Sequence, residues 1–187
     1  MAEKITAEEI IDLRPCWRPE DIRVAAGTGV TLYQIATARD VSVSHRRWVL
    51  TRLASRTDAG RRALVLWAAD CAQGVRHLIP RGEARDAADC AIQAAVAWVE
   101  AYVEPLVLRA AAYHAVSHHL RLNDKAVYAA LAAANAARTA EDARERSVAA
   151  TAAWSDAYAD YANDALADRP RRQSRTLVAL AKMLEDL

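Results

Sequence analysis

An all-α fold follows from three features of the sequence: its composition, its helix-capping and helix-breaking residues, and apolar residues recurring every three or four positions. Of 187 residues, 45 are alanine, Phe is absent, and only 5 Gly and 5 Pro interrupt the chain. This is the usage of a helix former and it excludes an all-β fold. A hydrophobic share of 53% against 26% charged residues excludes a disordered chain. A chain of this length buries roughly 70% of its unfolded surface, enough for a core without disulfides or metal. The expectation is a single all-helical domain over 1–187, a compact stack of antiparallel helical hairpins with about 8 to 10 helices. An irregular part made of short helices (1–43) precedes a core of long helices (44–187).

The elements follow in order. Thr6 with Glu9 three residues later is a capping box, which predicts a short helix over 6–13. Pro15, Pro19, Gly27 and Gly29 then leave room for two short helices, over 19–26 and 31–38. Ser44 can cap a helix carrying Trp48, Leu50 and Leu53 that ends near Thr57. Asp58 starts the next, where Leu64, Trp67, Ala68, Cys71, Val75 and Leu78 recur at helical spacing until Pro80. From 84 to 167, breaks at Pro105, at Leu122-Asn123-Asp124 and near Thr139 predict three or four long helices. Their alanine faces allow close packing, with Trp98, Tyr102, Tyr113, Tyr128 and Trp154 filling the larger gaps. Arg169-Pro170-Arg171-Arg172 breaks the chain, and Leu177, Leu180, Ala181 and Leu184 mark a last amphipathic helix.

Charge narrows the function classes. Lys and Arg number 25 against 24 Asp and Glu, so no global pull toward nucleic acid or anionic membrane exists. The clusters Arg46-Arg47, Arg61-Arg62 and Arg169 to Arg175 come without a recognisable DNA-binding module, and no direct nucleic-acid partner is expected. Cys16, Cys71 and Cys90 form an odd set without a CxxC pair and read as reduced, buried thiols. The acidic, amphipathic start is no signal peptide, and no uncharged apolar run of membrane-spanning length occurs, so the expected location is the cytoplasm, without membrane contact.

Chemistry-bearing residues are sparse. His114 and His118 are spaced i, i+4, as two metal ligands on a helix would be, but no HExxH glutamate accompanies them. Neither metal nor cofactor is expected. Cys71 and His77 share a helix but lie six residues apart, about 9 Å of rise, too far for a nucleophile and its base. Phosphate loops, GxSxG and paired catalytic carboxylates are missing, so no enzyme is expected. Asp70, at the edge of the Trp67 stripe, calls for an internal partner such as Arg47 or a neighbouring helix end.

The most unusual pattern is Asp156, Asp160, Asp164 and Asp168, four carboxylates at i+4 intervals. Asp156 lies about 200° around the helix from Trp154, so the ladder is expected to face solvent, opposite a stripe of Trp154, Tyr158, Tyr161 and Ala165. Three like-charged pairs cost the helix roughly 0.6–1.5 kcal/mol. Either Arg171, Arg172 and Arg175 folding back, or a basic partner surface, would compensate. The four aspartates are therefore the candidate partner-binding residues.

Several of these segments resemble one family. IIDLRPCWRPEDIR, HRRWVLTRLA, ALVLWAADCAQGVRHLI, ARDAADCAIQAAVAWVEA and a closing leucine helix run nearly end to end. With them the chain resembles the immunity-five-like family of immunity proteins from bacterial polymorphic-toxin systems, which phages also encode. The most specific carriers are the tryptophan helix, the Asp70-Cys71-Ala72 helix and a helix ending in Ala97-Trp98. The resemblance implies an all-α protein without catalysis that binds a cognate toxin or effector in the cytosol and neutralises it by occlusion. The chain departs from the family at Gly82-Glu83-Ala84-Arg85, where a longer acidic linker is usual, and His114, His118 and His119 have no counterpart there. A structural or assembly adaptor, for example phage-encoded, is the alternative, because alanine-rich helices with a near-neutral surface suit self-association.

Overall fold

A computed structural model of the chain describes residues 4–15, 17–101, 103–117, 124–142, 148–163 and 169–187. The described residues form ten α-helices, one 3₁₀ turn at Arg76–Leu78 and a lone antiparallel bridge between Ile5 and Val30. The helices are α1 Ala7–Ile11, α2 Pro19–Ala26, α3 Leu32–Thr37, α4 Val43–Ala54, α5 Asp58–Val75, α6 Glu83–Glu100, α7 Pro105–Ser117, α8 Asp124–Glu141, α9 Val148–Asn163 and α10 Arg169–Glu185. The all-α class and the expected helix number hold.

Local chemistry explains most boundaries. The Thr6–Glu9 capping box forms, with the Thr6 hydroxyl accepting from the Glu9 N–H and the Glu9 carboxylate accepting from the Thr6 N–H at 2.7 Å. Thr31 and Gln34 make the same reciprocal cap on α3. Helix α4 starts earlier than expected because Ser42, not Ser44, takes the His45 N–H. It also ends sooner, at Ala54, because the next cap is Thr57. Gly60 is required there: a Cβ at this position would fall 2.1 Å from the Ala54 carbonyl oxygen. Helix α8 passes Thr139 and runs to Glu141. Arg169 and Pro170 do not break the chain but open α10, since a proline in the first turn sacrifices no helical hydrogen bond.

Packing centres on α8, which touches α5, α6, α7 and α9. Ala126, Ala129, Ala130, Ala132, Ala133, Ala134, Ala136, Ala137 and Ala140 are all buried, so α8 is an alanine rod covered almost all round. Small side chains let the surrounding helix backbones approach it closely. Helix α5 supplies the large core residues expected of it: Leu64, Trp67, Ala68, Cys71 and Val75 are buried. The Trp67 indole N–H donates to the Thr176 carbonyl at 2.9 Å, which fastens α10 to α5. Helix α10 also lies against α3 and α4. There Glu185 accepts from the Tyr33 N–H at 3.1 Å in the first turn of α3. Arg46 is buried and its Nη1 donates to the Ala36 carbonyl at 2.5 Å, closing the other end of α3.

Two packing expectations fail. Tyr113 and Trp154 do not fill gaps; they are 73% and 54% exposed, because alanine-on-alanine contacts leave no gap of ring size. Tyr102 lies outside the described residues. Cys71 is a buried thiol as expected, whereas Cys90 is exposed on the outer side of α6, and Cys16 lies outside the described residues.

Candidate functional site

Helix α9 carries the site, and at Asp156, Trp154 and Tyr161 its sides are the reverse of the expectation. Val148, Ala152, Ser155, Ala159 and Ala162 are buried at spacings of four and three, a stripe of small residues against α5 and α8. The Ser155 hydroxyl lies 2.9 Å from the Ala68 carbonyl and 3.0 Å from the Ala132 carbonyl, so one proton is shared between those two helices. Asp156 follows on the same inner side and is only 1% exposed. The 200° separation from Trp154 is real, but the carboxylate points inward and the ring outward.

Asp156 is therefore corrected from a solvent-facing partner contact to a member of a buried cluster. Its Oδ2 lies 2.5 Å from Arg47 Nε of α4, and its Oδ1 accepts from the Cys71 thiol of α5 at 3.5 Å. The Arg47 side chain is itself only 12% exposed. A charge this deep persists only because the opposite charge reaches it. Arg47 thus serves Asp156 rather than Asp70. Asp70 is exposed, has no ion-pair partner among the described residues, and is pushed above the usual carboxylate range by partial desolvation. Asp160 belongs to α9, while Asp164 and Asp168 lie outside the described residues.

The outer flank of α9 presents rings. Trp154 stacks on Tyr158 at 5.6 Å, Tyr158 on Tyr128 of α8 at 6.2 Å, and Tyr161 packs on Tyr128 at 5.4 Å. Trp154 and Tyr161 remain about half exposed, at 54% and 48%. Beside this series a groove of about 240 Å³ runs between α4 and α9. Ala149, Ala153 and Ala157 line it on the α9 side, and Arg47, Trp48 and Arg52 on the α4 side. The Arg52 guanidinium lies 5.8 Å from the centre of the Trp48 ring. Sites 44, 47, 48, 51 and 52 share one face of α4 by helical spacing, which brings both arginines and Trp48 to the groove.

Trp, Tyr and Arg on one rigid surface are the residue types that carry most of the energy in protein interfaces. Rings that stack on one another expose edges and hydroxyls more than faces, which suits a protein partner better than inserted nucleobases. His114 sits exposed on α7 and His118 lies outside the described residues. Among the described residues, no group of three His, Cys, Asp or Glu could hold a metal ion, and no helix is long and apolar enough to cross a membrane.

The surface was hidden in the sequence because Trp and Tyr at helical spacing read as core. The signal that finds it is the small-residue stripe Val148, Ala152, Ser155, Ala159 and Ala162, which marks the inner face by what it lacks. Comparison with family models, with curated proteins and with solved structures gives no match for this chain.

Proposed function

We propose that the chain is a non-catalytic binding protein of the immunity or antitoxin type, which neutralises a cognate toxin or effector by covering its surface. The observation that supports this reading is the stacked ring series of Trp154, Tyr158, Tyr128 and Tyr161, exposed at Trp154 and Tyr161, beside the arginine-flanked groove. Monomeric proteins leave such apolar area exposed where a partner covers it. Of the four aspartates, Asp156 is no part of this surface, since it is buried against Arg47.

The test is affinity capture from the native host with the wild-type chain and with Trp154→Ser/Tyr161→Ser. A partner retained by the wild type, lost by the double variant, and whose toxicity in a growth assay is relieved by co-expression is the expected result. A partner held equally by both forms, or none at all, overturns the reading. A second reading, an assembly adaptor, draws on α7, where Leu106, Val107 and Tyr113 are 75%, 52% and 73% exposed. Light scattering separates the two: a stable high-order homo-oligomer without a foreign partner favours the adaptor.

A further inference from the structure

Six arginines are partly or fully buried among the described residues, and five of them reach an oxygen. Arg47, Arg61 and Arg76 meet Asp156, Asp58 and Asp89, while Arg46 and Arg85 donate to the Ala36 and Ile79 carbonyls. Arg52 is the exception. Among the described residues its guanidinium makes neither an ion pair nor a hydrogen bond, and its partner is the Trp48 ring, 5.8 Å away. An arginine fork that loses part of its hydration without gaining an acceptor is short of an anion.

That arginine lines the groove between α4 and α9, whose volume is about 240 Å³. It stays partly open to solvent on a flexible stem, so an anion entering the groove is within its reach. The rest of the lining decides what the anion is attached to. Ala149, Ala153 and Ala157 give the α9 side a floor of methyl groups, and Trp48 and Trp154 add two indoles. No carboxylate lines the groove among the described residues, and the other cation there, Arg47, is already neutralised by Asp156. The Thr51 hydroxyl is likewise committed, donating to the Arg47 carbonyl at 3.0 Å. One unneutralised positive charge calls for a monoanion, and indoles beside a methyl floor favour a flat apolar body.

We infer that this groove is a binding site for a small aromatic monocarboxylate, with the ring over the α9 alanines beside Trp48 and Trp154 and the carboxylate accepting from the Arg52 guanidinium. A phosphate ester brings a second charge that nothing among the described lining residues answers, and an aliphatic acid loses the ring contacts. The groove borders the stacked rings of α8 and α9 but shares only Trp154 with them, so its occupancy does not depend on the protein partner proposed above.

The probe is phenylacetate, titrated into the full-length chain at neutral pH and constant ionic strength while the five tryptophan indole N–H resonances are followed by proton–nitrogen correlation NMR. Trp48→Phe and Trp154→Phe assign the two groove signals. Saturable shifts of both, with the signal of the buried Trp67 unmoved, are expected. Phenylacetamide keeps the shape and loses the charge, acetate keeps the charge and loses the ring, and each should bind about tenfold more weakly or worse. Arg52→Met keeps the stem and removes the fork; it should lower phenylacetate affinity about tenfold and leave phenylacetamide unchanged. Ala153→Leu puts a side chain into the groove and should abolish both shifts. Groove signals that do not move, phenylacetamide or acetate binding as tightly as phenylacetate, full affinity in Arg52→Met, or shifts that survive Ala153→Leu each overturn the site. If either variant does not fold, the comparison of the three ligands on the wild-type chain decides.

Discussion

Helices α5 and α9 each carry one tryptophan inside an alanine-rich run, yet Trp67 is fully buried and Trp154 is half exposed. In α5 the large residues Leu64, Trp67 and Val75 and the small residues Ala68 and Cys71 share one stripe, so hydrophobicity and volume point the same way. In α9 they point in opposite directions. Its large residues are rings with polar edges, its small residues are alanines, and its neighbour α8 is an alanine rod that accepts only small partners. Where alanine dominates, close backbone approach selects the inner face, and size alone misassigns it.

The contrast can be broken by substitution. The largest effect is expected from Trp67→Ala, at about 3–5 kcal/mol of stability, from the cavity it opens and from the Trp67–Thr176 hydrogen bond it removes. Trp154→Ala should cost no more than about 0.5 kcal/mol in the same denaturant titration, as at other surface sites. Equal losses at the two positions would sink the comparison.

Asp156→Ala comes next, because it removes the buried carboxylate that Arg47 reaches across from α4, at about 3–5 kcal/mol. Replacing both partners, Arg47→Met with Asp156→Leu, should recover most of that loss. A surface ladder of the kind the spacing suggests would instead lose nothing on Asp156→Ala. Gly60→Ala should cost about 1–3 kcal/mol, since the new Cβ meets the Ala54 carbonyl and either α4 or α5 must shift. Circular dichroism melting checks both.

The smallest effect is electrostatic. Arg76 grips Asp89 and holds its carboxyl below the usual carboxylate range. The folded state thus binds this proton more weakly than the unfolded chain does. Its stabilising contribution is complete above the ordinary carboxylate pKa of about 4, and it is lost as pH falls through the lowered folded value. Asp89→Asn should destabilise slightly at neutral pH and match the wild type in strong acid. A difference that persists in strong acid would show that the pair acts through packing rather than charge.

The short N-terminal helices were legible because capping is local. Thr6 with Glu9 and Pro19 announce α1 and α2, and the predicted span of α3 is off by a single residue at each end. The shift from Ser44 to Ser42 at α4 shows the limit of that rule, since two serines two residues apart both offer an oxygen. The Cys71–Asp156–Arg47 cluster was not legible. Its members come from α5, α9 and α4, and no local pattern joins residues so distant in sequence.

Alone, the sequence determined the helical class, the positions of most breaks and the identity of α5 as a core helix, because propensity, capping and apolar periodicity act within a few residues of chain. Which side of α9 lies inward, which arginine meets Asp156, and how Arg52 and Trp154 come to line one groove were decided only in three dimensions. An alanine-rich helix has nearly the same hydrophobicity all round, so its orientation is set by the shape of what packs against it.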